Sequence, residues 1–435
     1  MIKFTTCSLL TTALFALGAS PSLGCPACGE PQVIEPEIVV CPAPPEVPFC
    51  PGGLVPPEVE VLHPHDPAPP VDPQPQPDAD APLIQVALLL DTSNSMDGLI
   101  TQAKAQLWTI VNRFAKARQD GQAPRFQIAL FEYGNTSLPA EEGYLRQVVG
   151  FTNDLDAVSA ELFALTTNGG DEYCGQVIGE ALHRLPWSVE GNDFKAIYIA
   201  GNEPFTQGSV DYKTSCEEAA ARNILINTIH CGAAQEGIDG KWLHGAQIAG
   251  GSYLTINQDR ALAHIEAPQD AQLAALNARF NGTYIPYGED GEQNLERQEE
   301  LDTQNAALSA DAAGGRAAAK AGELYFNGAW DLVDASTQEG FDLASIPDES
   351  LPEHMREMTL EEKQQHIDAM ARQRAELREQ MQELARQREL HVAGERARLA
   401  EEHGDDLGTV FLDSVDEQLE QSGFETQEDP ADPAE

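Results

Sequence analysis

The chain has 435 residues and a formal net charge of −45 at pH 7, from 71 acidic side chains and 26 Lys or Arg side chains. A charge of this sign and size argues against general electrostatic binding to nucleic acid or anionic lipid, and it favours solubility and the attraction of cations. The length exceeds that of one ordinary domain, so we expect one folded domain with flanking segments.

Residues 1–24 have the pattern of a secretory signal peptide. Lys3 gives a positive start, a mostly apolar segment follows, and small residues precede Cys25. The apolar segment is too short to span a membrane, so we expect no transmembrane segment and a secreted or periplasmic protein. Because Cys25 directly follows Gly24, a lipid anchor at Cys25, which would give an envelope-anchored lipoprotein, stays open as an alternative.

Residues 25–82 hold most of the 29 prolines, together with acidic residues and neither Lys nor Arg. Proline fixes φ and removes a backbone donor, so this stretch is predicted to be a disordered, Pro-rich, acidic linker. It contains Cys25, Cys28, Cys41 and Cys50. Small disulfide loops are the expected state of these cysteines after export, and a zinc or redox motif is the alternative for the first two.

Residues 83–260 alternate short apolar runs with segments of helical periodicity. The expected strands are 85–90, 126–133, 145–151, 194–199, 224–230 and 252–256, and the expected helices are 99–114, 154–165, 177–182 and 212–222. Strands that alternate with helices predict an α/β fold built on a doubly wound, mostly parallel sheet.

Residues 261–290 are expected to add a helix over 268–280 and a strand over 283–288 at the edge of the sheet. Neither the linker nor the C-terminal tail is expected to bury apolar area. We therefore expect residues 80–290 to fold without the rest of the chain.

Residues 291–402 are predicted to be a helical region that ends in a long charged helix over 360–402. Arg374 and Arg388 interrupt the apolar seam of this helix. The pattern leaves two alternatives, a weak coiled coil or a solvated, lightly docked helix. Residues 403–435 form an acidic tail that we expect to be disordered.

Polar side chains follow the first buried strand directly, in the order Asp91-Thr92-Ser93-Asn94-Ser95. Open α/β sheets bind ligands where their parallel strands end. One carboxylate and two hydroxyls are hard oxygen donors, which suit Mg²⁺ or Mn²⁺. The alternative is a simple helix N-cap, since Ser and Asp are favoured there as well.

This strand–loop–helix segment resembles the metal-ion-dependent adhesion site (MIDAS) of von Willebrand factor type A (VWA) domains, and the resemblance covers residues 83–260. It implies a Rossmann-like VWA fold and a bound divalent cation, Mg²⁺ or else Mn²⁺ or Ca²⁺. By this resemblance, Ser93 and Ser95 would ligate the cation directly, and Asp91 would hold its waters or the serine hydroxyls.

Two later segments depart from the family pattern. The family often places a threonine after two glycines, whereas here Asp171 follows Gly169-Gly170; we assign the ligand role to Asp171, and a plain turn is the alternative. Where the family has Thr-Asp-Gly, this chain has Ala200-Gly201-Asn202. Asn202 or Glu203 would then reach the waters of the cation, or this segment is also only a turn.

The resemblance implies a binding protein rather than an enzyme. We expect an extracytoplasmic adhesion or assembly module whose cation captures a carboxylate on a protein partner. A metal-dependent hydrolase is one alternative, although the sequence has no obvious general base for it. A helical scaffold that acts through residues 359–402 is the other.

Three further cysteines, Cys174, Cys216 and Cys231, fall in or near loops at the carboxyl end of the predicted sheet. We expect a disulfide between Cys216 and Cys231. The alternative is a catalytic Cys231 with His230 as its base, but adjacent strand residues point to opposite faces of a sheet.

Overall fold

The computed structural model describes residues 81–256, 265–403 and 407–426. The predicted signal peptide, the lipid-anchor position Cys25, the linker cysteines and nearly all of the linker lie outside these described residues. Among the described helices, none is long and apolar enough to cross a bilayer.

The described chain is a mixed α/β structure. The strands are β1 (Leu83–Asp91), β2 (Ala117–Arg118), β3 (Arg125–Tyr133), β4 (Leu145–Thr152), β5 (Phe194–Gly201), β6 (Leu225–Cys231), β7 (Tyr253–Ile256) and β8 (Glu425–Thr426). The helices are α1 (Asp97–Ala115), α2 (Leu155–Ala164), α3 (Cys174–Arg184), α4 (Tyr212–Ala221), α5 (Ala234–Asp239), α6 (Trp242–Ile248), α7 (Asp270–Asn281), α8 (Gly291–Leu308), α9 (Ala310–Lys320), α10 (Leu332–Ala335), α11 (Leu360–His403) and α12 (Leu407–Gln421).

Six strands form one sheet in the order β4-β3-β1-β5-β6-β7. Every pairing is parallel except that of β4 with β3, which is antiparallel. The predicted mostly parallel sheet is therefore confirmed. Strand β1 lies in the middle of the sheet, with β3 on one side and β5 on the other. Because β3 and β5 are both parallel to β1, the carboxyl ends of these three strands lie at the same edge of the sheet, which we call the carboxyl rim.

The central strand β1 is buried along all nine residues. Val86, Leu88 and Leu90 point to one face and pack with α1, α2, α9, α11 and α12, which we call the α1 face. Ala87 and Leu89 point to the other face and pack with α3, α4 and α6, which we call the α3 face. Since helices cover both faces, the predicted doubly wound architecture is also confirmed.

The acidic C-terminal segment is not disordered where the structure describes it. Helix α12 packs Phe411, Val415 and Leu419 into the same apolar cluster as β1. Its Gln418 exchanges two hydrogen bonds with the side chain of Asn227 on β6, at 3.0 and 2.7 Å. The sheet therefore completes its α1 face with residues from beyond 290, and we no longer expect residues 80–290 to fold without them.

The long helix α11 is docked on the body of the protein. Arg374 is 2% exposed and forms ion pairs with Asp331 and Asp334, and Arg388 pairs with Asp270 and Asp311. The two arginines that interrupt the apolar seam thus form the ion pairs that hold α11 against the rest of the protein. The coiled-coil alternative is wrong for this reason, and the helix is docked more firmly than the light docking that the second alternative expected.

Two local predictions also differ from the structure. Over 283–288 the chain forms only an isolated bridge, between Pro286 and Asp331, in place of the expected edge strand. Cys216 and Cys231 are free and buried, and they pack in the clusters of opposite sheet faces, so the expected disulfide is absent. Burial raises the pKa of the Cys231 thiol well above its ordinary value, which also disfavours a nucleophilic role.

A buried ionic cluster joins the C-terminal helices to the sheet domain. Arg316 of α9 is 1% exposed, pairs with Asp156 of α2 and with Asp302 of α8 at 2.6 Å each, and lies 4.8 Å from the ring centre of Trp108. Burial alone would raise the pKa of Asp156, but the charge and hydrogen bond of Arg316 bring this pKa below its ordinary value.

The docking of α12 predicts a large cost for truncating its buried leucine. We expect Leu419→Ala, at a side chain with no exposed surface, to lower the free energy of unfolding by about 2–5 kcal/mol. The matched control is Leu390→Ala on α11, where the side chain is 42% exposed and the effect should stay within about 0.5 kcal/mol. Urea unfolding of both variants measures the difference, and equal values would mean that α12 is not part of the core.

The Asp156–Arg316 pair predicts loss of stability in acid. A folded-state pKa below the unfolded value of about 3.9 stabilises the protein above that pH, and the contribution is lost as the pH falls through the folded-state pKa. We expect Asp156→Asn to lower the free energy of unfolding by about 3 kcal/mol at pH 7, because buried Arg316 loses a partner. The variant should also have a flatter pH dependence between pH 2 and 5.

Urea unfolding across this pH range tests the prediction, with Asp413→Asn as a control at an exposed position. The role of the pair would be contradicted if Asp156→Asn and Asp413→Asn gave the same pH profile.

Candidate metal centre

The predicted motif lies at the rim where β1 ends. Asp91 is the last residue of β1, is fully buried, and accepts a hydrogen bond from the backbone N–H of Ser93 at 2.7 Å. The hydroxyl oxygens of Ser93 and Ser95 lie 3.3 Å apart. The loop therefore points one carboxylate and two hydroxyls toward the same place.

The N-cap alternative lacks its characteristic bond. Ser93 precedes the 3-10 turn Asn94–Met96, but its side chain makes no capping hydrogen bond there, and the residue before α1 is Met96. The hydroxyls of the loop thus do not satisfy the helix N-terminus. Thr92, which lies between Asp91 and Ser93, is fully buried, and its hydroxyl donates to the Glu132 carboxylate at 3.0 Å, which fixes the start of the loop.

The end of β5 contributes the next two predicted residues. The side-chain amide of Asn202 donates to the Ser95 hydroxyl at 3.1 Å. The Glu203 carboxylate accepts a hydrogen bond from the side chain of Gln207 at 3.0 Å, and its backbone N–H donates to Glu172 at 3.3 Å. The structure therefore brings Asn202 together with the β1 loop, whereas Glu203 contacts Gln207 and Glu172.

The loop before α3 places its two acids differently. Asp171 is exposed, and its carboxylate accepts a hydrogen bond from the Tyr173 hydroxyl at 3.2 Å. Glu172 is 3% exposed, and its carboxyl is in side-chain hydrogen-bond contact with Asp91 and Ser93. The sequence analysis missed Glu172, although two adjacent acids after Gly169-Gly170 were a signal that either one could face the site.

Glycines allow these loops to approach so closely. Gly134, after β3, has φ of +78°, and a Cβ atom there would lie 2.8 Å from both Asp91 Oδ1 and Glu172 Cγ. A Cβ atom on Gly170 would lie 2.4 Å from the carbonyl oxygen of Gly134. The packing of the two carboxyl groups against the backbone therefore leaves no room for a side chain at either position.

The site is rich in acceptors that lack donors. Asp91 Oδ2 and Asn202 Oδ1 are buried and have no hydrogen-bond partner. Burial raises the pKa of Asp91, and burial together with the charge of Asp91 raises the pKa of Glu172 to about 9. Neighbouring buried carboxyls with free acceptor atoms need a proton or a cation to be stable.

The donor set fits a hard divalent cation. Within the three described ranges, no group of three or more His, Cys, Asp or Glu side chains is placed to hold a metal ion. A cation at this site would thus depend on serine hydroxyl and asparagine amide oxygens as well as carboxylates. Oxygen-only donors of this kind suit Mg²⁺, Mn²⁺ or Ca²⁺ rather than a thiophilic metal.

Comparisons with known proteins add little to this geometry. The chain matches no protein-family model and no curated protein. Among solved structures it is similar to the conserved hypothetical protein BatB from Bacteroides thetaiotaomicron, with 14% identity, TM-score 0.31, and coverage of 40% of this chain and 90% of that chain. It is also similar to the SpRpn10 VWA domain, with 16% identity, TM-score 0.30, and coverage of 40% and 88%.

A third similar structure is proximal thread matrix protein 1 from the mussel byssus, with 16% identity, TM-score 0.31, and coverage of 41% of this chain and 43% of that chain. Identities and TM-scores of this size support no conclusion about function. The fold assignment therefore depends on the strand order and the helices of this chain itself.

The crowding at Gly134 predicts a specific sensitivity. Gly134→Ala should destabilise the protein more than Gly121→Ala, which also has positive φ but nothing within 4 Å of the added Cβ atom. In both variants, placing a side chain in the left-handed region lowers the free energy of unfolding by about 1–2 kcal/mol. Only Gly134→Ala also displaces the carboxyl groups of Asp91 and Glu172. Urea unfolding compares the two, and equal losses would contradict the close packing of the site.

Proposed function

We propose that this chain is an extracytoplasmic, divalent-metal-dependent protein-binding module of the VWA type, which captures an acidic group on a protein partner. The observation that carries the proposal is the convergence of Asp91, Ser93, Ser95 and Asn202 at one rim of the sheet. Two acceptor oxygens of this set are buried and have no donor, which is the arrangement that a cation would complete.

The residues have separable roles in this proposal. The hydroxyls of Ser93 and Ser95 would ligate the cation, and Asp91 would hold its waters or orient the hydroxyls from below. Asp171 is the proposed charged ligand from the sequence, and Asn202 or Glu203 would support the waters. When bound, the cation supplies a local positive charge to which a carboxylate of the partner can bind.

Overall charge explains why a cation would be needed. The chain carries a net charge of −45, so its surface as a whole repels an acidic partner. At physiological ionic strength charges are screened beyond about 8 Å, and a cation at the contact itself then decides the local attraction. The serine hydroxyls are neutral ligands, so they leave more of the cation's charge for the partner than carboxylates would.

The proposed location follows from the N-terminal sequence. Removal of a signal peptide ending near Gly24 would give a secreted or periplasmic protein, with an envelope-anchored lipoprotein as the variant if Cys25 carries lipid. In the described part of the chain, no observation favours the alternative of a metal-dependent hydrolase. Ile367, Leu377 and Met381 of α11 are buried against the body of the protein, so these residues are not available for a helical scaffold.

Cation titration of the full mature chain tests the metal site. We expect Ser93→Ala and Ser95→Ala each to weaken Mn²⁺ binding about tenfold or more, measured by calorimetry, because each removes a ligand. Ser345→Ala, at an exposed serine whose hydroxyl donates only to the backbone of Asp342, is the matched control and should bind as the wild type does. Absence of Mn²⁺ binding by the wild-type chain would overturn the proposal.

A partner-capture experiment tests whether the bound cation holds a protein partner. Envelope proteins retained on the immobilised chain in Mg²⁺ should be released by a chelator, and the Ser93→Ala chain should not retain them. Retention that is unchanged by both the chelator and the substitution would show that the metal site does not bind the partner.

A further inference from the structure

Glu172 is a buried acid that the sequence pattern does not single out. It lies in the loop before α3, one position beyond the predicted ligand Asp171, and is 3% exposed. An acidic side chain is rarely buried to this degree unless it is paired or binds a metal. In the part of the chain that the structure describes, Glu172 forms no ion pair with Lys or Arg, so another partner is needed.

The Glu172 carboxyl is held at the site from several directions. Its Cγ atom and Asp91 Oδ1 both lie 2.8 Å from the position of a Cβ atom on Gly134, and its Oε2 atom accepts the backbone N–H of Glu203 at 3.3 Å. Its own backbone N–H donates to the side-chain oxygen of Gln207 at 3.0 Å, and Gln207 in turn donates to Glu203. The loops after β1 and β5 thus both fix the position of this one carboxyl.

A second observation points to a cation at the same place. Asp91 Oδ2 belongs to a fully buried side chain and has no donor, and it lies 3.1 Å from the position of a Cβ atom on Gly201. Asn202 Oδ1 is likewise buried without a donor. The carboxyl of Glu172 therefore lies beside a buried carboxylate that has an unpaired acceptor oxygen, and one cation with its waters can bind oxygens of both groups.

Asp171 has a different environment. Its side chain is exposed to solvent, and the Tyr173 hydroxyl donates to its carboxylate. Neither Asp91 nor either serine of the motif is among its hydrogen-bond partners in the described chain. The two adjacent acids therefore differ in burial and in partners, although they differ by only one methylene group.

We propose that Glu172, in place of Asp171, is the charged side chain of this loop that binds the divalent cation; this inference rests on the metal-dependent function proposed above. Glu172 would then be the one carboxylate of the protein that binds the cation directly, so the cation keeps part of its positive charge for the carboxylate of the partner. The cation would then join the loop after β1 to the loop before α3, two segments whose carboxyls otherwise repel each other.

The test compares two adjacent acids by the same chemical change. Mn²⁺ is titrated into the full mature chain and into Glu172→Gln and Asp171→Asn, with binding followed by calorimetry and by electron paramagnetic resonance of free Mn²⁺. We expect Glu172→Gln to weaken Mn²⁺ binding about tenfold or more and Asp171→Asn to change it less than about threefold. Glu172→Asp, which keeps the charge on a shorter side chain, should recover part of the affinity.

A stability measurement separates loss of a ligand from loss of folding. Without Mn²⁺, Glu172→Gln should melt within a few degrees of the wild-type temperature, because Gln has nearly the same size and its amide can donate a hydrogen bond toward Asp91. The rise in melting temperature that Mn²⁺ gives the wild type should be lost in this variant.

The outcomes are distinguishable. Wild-type affinity in Glu172→Gln, or loss of affinity in Asp171→Asn alone, overturns this inference and leaves the proposed function standing. No Mn²⁺ binding by the wild-type chain overturns the proposed function and this inference with it.

Discussion

The structure depends on the burial of β1 on both of its faces. A strand with no polar side cannot form the surface of a sheet, so helices must cover it from above and below. Helices α3, α4 and α6 cover the α3 face, whereas α1 and α2 cover the α1 face together with α9, α11 and α12 from the far end of the chain. At the carboxyl end of β1 the sheet is covered by loops in place of helices, and the candidate metal centre lies there.

Charge is distributed in an unusual way between the surface and the interior. The chain has few basic residues, and four of them, Arg316, Lys320, Arg374 and Arg388, are buried against acidic partners. Buried ion pairs are weak sources of net stability, but removing one partner is costly, so such pairs favour one docking geometry over others. Basic side chains that serve in this way inside the protein leave the surface strongly acidic.

Much of the α/β domain was predictable from the sequence, because its apolar runs and helical periodicities are set by burial against the sheet. The oxygen donors after β1 were predictable for a similar reason, since a buried strand that ends in polar residues must present them at the rim. Arg374 was read as an interruption because its acidic partners, Asp331 and Asp334, are about 40 positions away in sequence. A pattern of spacing within one helix contains no information about such partners.

The remaining differences between the expectations and the structure also have local causes. Phe411, Val415 and Leu419 repeat every four residues, as a docked helix requires, but the acidic composition around them favoured disorder. Asp171 and Glu172 are adjacent and chemically alike, so only the course of the loop decides which carboxyl is buried. That course depends on the close approach of Gly134 and Gly170, which the sequence does not reveal.

The contact between α1 and α12 has a consequence for how the protein is made. Arg113 and Asp416 form an ion pair across 303 positions of sequence, and the two-residue ribbon of β2 with β8 lies beside it in the chain. One face of the sheet therefore stays open until almost the entire polypeptide is present. Contacts between such distant residues form slowly, and the apolar sheet is exposed to other molecules in the interval. Nascent chains should accordingly need protection by a chaperone until α12 is available.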